Sequence, residues 1–261
     1  MKLSNSLKIF LLIAVVLAGM STAEAKKRTR SKARRASSGV VVTKGSEQTY
    51  CGNLVFRTYS AKKQDSKISV AFPVSGDEAV VTAIRQWICN SFGYPYSAAM
   101  TSPETLIKKT LAAVGPRKDI MELQQSITVD YSNDKVITMR DESYQYMGGA
   151  HGMPSCISST FLTADGTELT SEMLPGIETM RPYIIQAMMK EYNMSRSELQ
   201  DMCFGSLELP MGSPSVTANG LRIQYQSYEI APYSAGMPSC TIPVAEIKNI
   251  LSAEALKFLS K

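Results

Sequence analysis

Apolar and polar positions alternate with two different periods along this chain, and each change of period marks an element. Glu47–Tyr59 and Lys67–Pro73 are rich in β-branched and aromatic residues and predict extended segments. After Asp77, the residues Val80, Val81, Ile84, Trp87, Ile88 and Phe92 recur at helical spacing, which predicts a helix capped by Asp77 and stopped by Gly93. Ser102-Pro103-Glu104 starts a second helix that runs to about Ala113, with proline at its first turn. Gly115-Pro116 breaks it, and Lys118–Ser126 reads as a short third helix. Ile127–Ser132 and Lys135–Tyr146 flank Asn133-Asp134 and predict a hairpin.

The second half repeats the mixture. Ser158–Leu162 predicts a strand turned by Asp165-Gly166, and Ile177–Tyr192 a helix with Ile184, Ile185, Met188 and Met189 inward. Ser195-Arg-Ser-Glu198 has the form of a capping box ahead of a short helix to Cys203. Asn219-Gly220 between Val216–Ala218 and Leu221–Gln226 is the clearest hairpin signal. Thr241–Pro243 ends a strand, and Val244–Leu251 and Ala253–Leu259 close the chain as helix. Strands and helices are mixed without regular βαβ alternation, so the fold class is α+β, with antiparallel sheets and packed helices.

Composition changes this picture at the N-terminus. Lys2 and Lys8, the apolar stretch Ile9–Met20 and Ala23-Glu24-Ala25 form an export signal over residues 1–25, cleaved near Ala25. Twelve apolar residues rise only about 18 Å as a helix, against a hydrocarbon core of about 30 Å, which disfavours a membrane span. The expected location is periplasmic or secreted. Seven Lys/Arg residues and no acid occupy Lys26–Arg35, while from Gly39 onward 19 Lys+Arg stand against 22 Asp+Glu. The basic balance thus belongs to a disordered linker over residues 26–46, and the folded body is slightly acidic. That linker either touches anionic lipid or wall polymer or serves as a solvated spacer. It lacks interleaved aromatics, so nucleic acid is not expected as a partner.

Candidate chemistry gathers at two hinges. Gly-Met-Pro-Ser-Cys occurs at Gly152–Cys156 and again at Gly236–Cys240, and the first copy follows the chain's single histidine, His151. Gly148, Gly149 and Gly152, with Gly236 in the second hinge, permit sharp turns. Any Ser-His-Asp or Cys-His arrangement must use His151, with Asp141 or Glu142 to orient it and Ser155 or Cys156 as nucleophile. The other reading makes His151 a structural or ligand-contacting residue, and no catalytic residue is then assigned. Tyr144, Tyr146, Tyr228 and Tyr233 either form a sugar- or peptide-stacking platform beside His151 or simply pack around the hinges. No C-x-x-C pair exists, so neither a metal nor a cofactor is expected. In an oxidising compartment disulfides are the default. The similar runs after the two repeats suggest neighbouring strands, hence Cys156–Cys240, with Cys51–Cys89 second and Cys203 left over.

The order Y-Q-Y-M-G-G-A-H-G (Tyr144–Gly152), F-L-T-A-D-G-T-E-L-T (Phe161–Thr170), L-R-I-Q-Y-Q-S-Y-E-I-A-P-Y-S-A-G (Leu221–Gly236) and I-P-V-A-E-I-K (Ile242–Lys248) resembles a known pattern. It is that of the paired domain-of-unknown-function module of bacterial envelope proteins, the RsiV/PdaC-like extracytoplasmic domain. The resemblance spans roughly Thr49–Leu251. It implies two intimately associated subdomains, an N-terminal half over 47–157 and a C-terminal half over 158–261. The resemblance transfers no activity, and the leading expectation is a non-enzymatic envelope module that binds a protein, lysozyme-like, or a cell-wall glycan. The alternative is an envelope hydrolase acting on wall polymer through His151. The hinge cysteines look like additions to the family pattern.

Overall fold

The computed structural model describes residues 40–97 and 102–259, so the expected export signal and the basic segment as far as residue 39 lie outside the described residues. Six strands stand in chain order across one sheet: β1 (Thr43–Tyr50), β2 (Leu54–Lys63), β3 (Ser66–Ser75), β4 (Glu122–Ser132), β5 (Val136–Tyr146) and β6 (Met153–Leu162). All pairs are antiparallel except β3 with β4. A parallel pair needs a crossover, and α1 (Glu78–Ser91) and α2 (Pro103–Ala113) lie within it. Asp77 accepts from the Ala79 and Val80 amides at the start of α1, and Ser102 caps α2. At the other end of α2, Lys63 Nζ donates to the carbonyls of Leu111 and Val114, each at 2.6 Å, satisfying acceptors the helix leaves open. One face of the sheet buries Phe56, Ile68, Val70 and Phe72 against Val80, Ile84, Ile88 and Leu106.

The other face meets the C-terminal half. That half holds α3 (Ile177–Tyr192), α4 (Arg196–Met202), β7 (Ser213–Thr217), β8 (Gly220–Gln224), β9 (Ser239–Ile242), α5 (Val244–Ile247) and α6 (Ala253–Leu259). β7, β8 and β9 form an antiparallel sheet in that order. Its core combines Met180, Ile184 and Met188 with Leu221, Ile223, Ile242 and Phe258, and takes in Val136 and Leu162 from the first sheet. The two halves are joined by a closed ring of hydrogen bonds. The Val216 amide donates to Thr160 Oγ1 at 2.9 Å, Thr138 donates to the Val216 carbonyl at 2.8 Å, and the two hydroxyls lie 2.9 Å apart. With Thr138 committed as donor to the carbonyl, Thr160 donates to Thr138, and every group is satisfied. Arg222 adds an ion pair to Asp130 at 2.7 Å. The α+β class with two associated halves is therefore what the chain adopts.

Several local expectations are corrected by tertiary pairing. Glu47–Tyr59 is not one strand: Cys51 (φ 50°) and Gly52 (φ 79°) turn it into the β1–β2 hairpin. The expected linker ends early, because β1 starts at Thr43, whose hydroxyl donates to the Ser60 carbonyl at 3.1 Å. Lys118–Ser126 forms no helix among the described residues. Glu122 opens β4, which has β3 on one side and β5 on the other, and sends Leu123 and Ile127 into the core. The strand after the first hinge begins at Met153, so residue 158 falls within β6. Edge strand β1 carries Lys44, Gly45 and a bulge between Lys44 and Glu47, features that discourage pairing with another chain.

The expected disulfides are also corrected. Cys51, Cys156, Cys203 and Cys240 are free thiols. The reasoning for Cys156–Cys240 required β6 and β9 to be neighbours, but they belong to different sheets, and β9 packs on α3 while β7 lies against β6. Cys240 Sγ points to the Ile184 carbonyl at 3.8 Å, and Cys51 Sγ to the Val136 carbonyl at 3.7 Å, while Cys89 is buried in the N-terminal core. Burial pushes the Cys156 thiol up to about 11 and that of Cys240 up to about 12, so both remain protonated and unreactive at neutral pH. Unfolding without reductant in the presence of iodoacetamide should therefore alkylate Cys156 and Cys240 separately. Recovery of a linked Cys156–Cys240 peptide would contradict the topology.

Candidate functional site

The first hinge, residues 147–152, connects β5 to β6. Gly148 (φ 94°) and Gly149 (φ 92°) take conformations that side chains resist, and they turn the chain back on itself. Gly152 serves a different need. A Cβ there would stand 2.4 Å from Tyr144 Cζ and 2.7 Å from the Gln145 carbonyl. Its close approach lets the Gly152 amide donate to the Tyr144 hydroxyl at 3.1 Å. Tyr146 donates to the Gly149 carbonyl at 3.0 Å. His151 Nδ1 meets the Gly152 carbonyl at 2.9 Å.

The second hinge comes from the C-terminal half and packs on the first. Tyr225 is buried and donates to the Pro210 carbonyl at 2.9 Å. Gln226 behaves like an added strand residue at the open edge of β6: its side-chain Nε2 donates to the Cys156 carbonyl at 2.6 Å and its Oε1 accepts from the Cys156 amide at 3.1 Å. Glu229 fixes Gln226 by accepting from its backbone amide at 2.7 Å. Tyr233 then reaches across and donates to the Gly152 carbonyl at 3.0 Å. Pro154 has no amide to leave open, which suits an edge strand.

These contacts bring all five expected ring residues to one end of the β5–β6 pair. His151 stacks on Tyr233 with centroids 4.1 Å apart and planes 26° apart. Tyr228 continues the row, 5.7 Å from Tyr233 at 32°. The hydroxyls of Tyr144, Tyr146 and Tyr233 are engaged with backbone, whereas Tyr228 is 48% exposed. Tyr228 also holds a positive φ of 66°, a strained choice for an aromatic residue and one that recurs at ligand clamps. Gly236 (φ 70°) ends the short 3-10 turn Tyr233–Ala235 that presents Tyr233. Sequence reasoning missed Gln226, because nothing in its neighbours distinguishes an edge-capping amide from a surface one. It also missed Met121, Met147 and Met153, which are exposed at the same end of the sheet. The Met121 amide donates to the Tyr146 carbonyl at 2.8 Å, and Met153 pairs with Gln145.

The carboxylates weighed for hydrolysis have other partners. Asp141 lies buried on the helix-facing side and accepts from Gln125 at 2.9 Å, and Gln125 also contacts the Ser91 carbonyl at 3.3 Å. Its second oxygen has no partner, and burial pushes the carboxyl up to about 7. Glu142 pairs with Arg140 at 2.7 Å. Ser159 donates to Glu168 at 2.6 Å, and burial raises that carboxyl as well. The bond recorded for His151 goes to a carbonyl, not a carboxylate. Among the described residues no group of three or more His, Cys, Asp or Glu could hold a metal ion, and no helix is long and apolar enough to cross a membrane. A groove of about 680 Å³ lies along β1 and β2, lined by residues such as Val41, Ala61 and Lys63, but it contains no aromatic ring and is several strands away from the hinges. His151 and Tyr228 are exposed and Tyr233 is half-buried, so the ring row can be reached from solvent.

The second hinge lies within the segment that resembles a known family. Residues 167–245 match the family described as "Protein of unknown function (DUF3298)". The match takes in β7, β8, β9 and the Tyr225–Gly236 segment, so the half that supplies Tyr228, Tyr233 and Gln226 carries the DUF3298 pattern. Two crystal structures of DUF3298 proteins extend the likeness to most of the fold. A member from Bacteroides fragilis NCTC 9343 superposes with a TM-score of 0.61 at 16% identity, covering 84% of this chain and 96% of its own. A DUF3298 protein from Pseudomonas aeruginosa PAO1 gives 0.54 at 17% identity, covering 85% and 96%. None of the curated proteins matches the sequence. At these identities the DUF3298 likeness is one of fold.

Proposed function

We propose that this protein is an exported, non-enzymatic module of the bacterial envelope that binds a protein or glycan ligand through the row His151–Tyr233–Tyr228. The observation that carries the reading is the convergence of two hinges, 81 residues apart at the Tyr233–Gly152 bond, into one half-exposed aromatic surface. Rings with an apolar face and a fixed polar tip suit recognition at a wet surface. Met121, Met147 and Met153 add adaptable apolar area at the same end. The RsiV/PdaC-like pattern of the sequence supports an extracytoplasmic place, after cleavage near Ala25, and a lysozyme-like protein or a wall glycan as ligand. The basic segment that follows the signal would hold the module near anionic lipid or wall polymer.

The rival reading, a hydrolase of wall polymer acting through His151, needs a carboxylate to orient the ring. Asp141 and Glu142 are engaged with Gln125 and Arg140 instead. In a pull-down with immobilised lysozyme and, separately, insoluble peptidoglycan, the mature chain should be retained by one of them, and Tyr228→Ala should reduce retention severalfold. Silence with both materials would refute the binding reading, and release of soluble sugar that vanishes in His151→Ala would favour the hydrolase.

A further inference from the structure

The Gly152 carbonyl fixes the proton of the His151 ring. A carbonyl oxygen can only accept, so the 2.9 Å contact places a proton on Nδ1. In the neutral ring Nε2 is then a bare lone pair, and no bond to it is recorded among the described residues. Turning the ring over would keep the stack on Tyr233 but would set a C–H against the carbonyl, so the bond and the stack together select one orientation. The same carbonyl is held in place by the Tyr233 hydroxyl at 3.0 Å.

We propose that His151 is a specificity-determining acceptor whose Nε2 takes a hydrogen bond from a hydroxyl of a sugar lying along the ring row. The proposal rests on the reading of that row as a ligand site. Of the polar groups on the five rings, the Tyr144, Tyr146 and Tyr233 hydroxyls are engaged with backbone, while Nε2 and the Tyr228 hydroxyl belong to exposed residues and make no bond among the described residues. A pyranose offers an apolar C–H face bordered by hydroxyl donors. An aromatic face with an acceptor at its rim is the matching surface. A protein ligand would meet the same rings through side chains and is the competing outcome of the test.

The test uses the mature chain labelled with nitrogen-15 in histidine, titrated with an N-acetylglucosamine tetramer and, in parallel, with lysozyme. With one histidine in the chain the signals need no assignment. The long-range proton–nitrogen spectrum should show a protonated Nδ1 and a bare Nε2, and the sugar should shift Nε2. His151→Phe, which keeps a stacking ring, should weaken sugar binding roughly tenfold with an unchanged unfolding midpoint. Tyr228→Ala should weaken it as well. A proton on Nε2, or equal sugar affinity in His151→Phe, overturns the acceptor role; a loss confined to Tyr228→Ala would then leave the ring row standing. Shifts with lysozyme alone overturn the sugar and keep the site. No response to either ligand overturns both. Should His151→Phe fail to fold, the tautomer and the Nε2 shift of the unaltered chain decide.

Discussion

Replacing Asp141 with Asn is expected to make the protein more stable at pH 8 and to remove most of its loss of stability between pH 4 and pH 7. Asp141 is buried, receives one hydrogen bond from Gln125 and leaves its other oxygen without a partner, so the charged form is penalised and the carboxyl titrates near 7 instead of 3.8. Below about pH 4 the group is protonated in both folded and unfolded chains and adds no pH-dependent cost. Between those two values the folded chain holds a proton that the unfolded chain has released, so stability falls as pH rises, and above about 7 it stays low. At about 1.4 kcal/mol per pH unit, the fall is on the order of 4 kcal/mol. Glu168 and Glu229, also raised by burial, act in the same direction and leave a residual slope. Urea unfolding from pH 4.5 to 8.5 reads the effect directly. Equal slopes in the wild type and Asp141→Asn would show that the side chain escapes its burial.

Gly152→Ala is the second large effect, and it separates two uses of glycine within one loop. Gly149 has positive φ but open space around its missing Cβ, so Gly149→Ala should cost only backbone strain, about 1 kcal/mol. Gly152 has no such φ, yet a methyl group there meets Tyr144 Oη at 2.6 Å and the Gln145 carbonyl at 2.7 Å. The tyrosine ring can move away, but the carbonyl belongs to β5 and cannot. Relief requires Gly152 to retreat, which breaks its amide's bond to Tyr144 and shifts the carbonyl that holds His151 and Tyr233. The expected loss is roughly 2–3 kcal/mol, with a disordered ring row. Thermal unfolding and the near-ultraviolet circular dichroism of the tyrosines would show both. A Gly152→Ala protein as stable as Gly149→Ala would contradict the packing described for this hinge.

The same hinge shows what sequence reasoning can and cannot reach. Local chemistry was legible where a residue acts on its immediate neighbours. Asp77 and Ser102 cap their helices, Ser195 and Glu198 form the capping box, and Asn219-Gly220 turns the β7–β8 hairpin. The ring residues were legible as candidates because aromatic, histidine and glycine residues are concentrated in two short segments. A shared platform of those rings was one of the expectations, but the bonds that join the segments were not legible, since the bond from Tyr233 to Gly152 and the clamp from Gln226 to Cys156 depend on how β7 docks across β6. The disulfide expectation failed for the same reason: a repeated pentapeptide suggests neighbouring strands, but register and sheet order are settled by distant partners. Lys118–Ser126 lost its helix to β4 because pairing on both sides outweighs a weak local preference.

The central claim is that two distant hinges build one ligand-binding aromatic surface. It is tested most directly by labelling the tyrosine rings with carbon-13 and titrating the mature chain with soluble peptidoglycan fragments and with lysozyme. The account predicts that one ligand shifts the signals of Tyr228 and Tyr233 together and well ahead of the other tyrosines, with the buried Tyr225 unmoved. Saturable binding that leaves Tyr228 and Tyr233 unchanged, or no binding of either ligand, would contradict it.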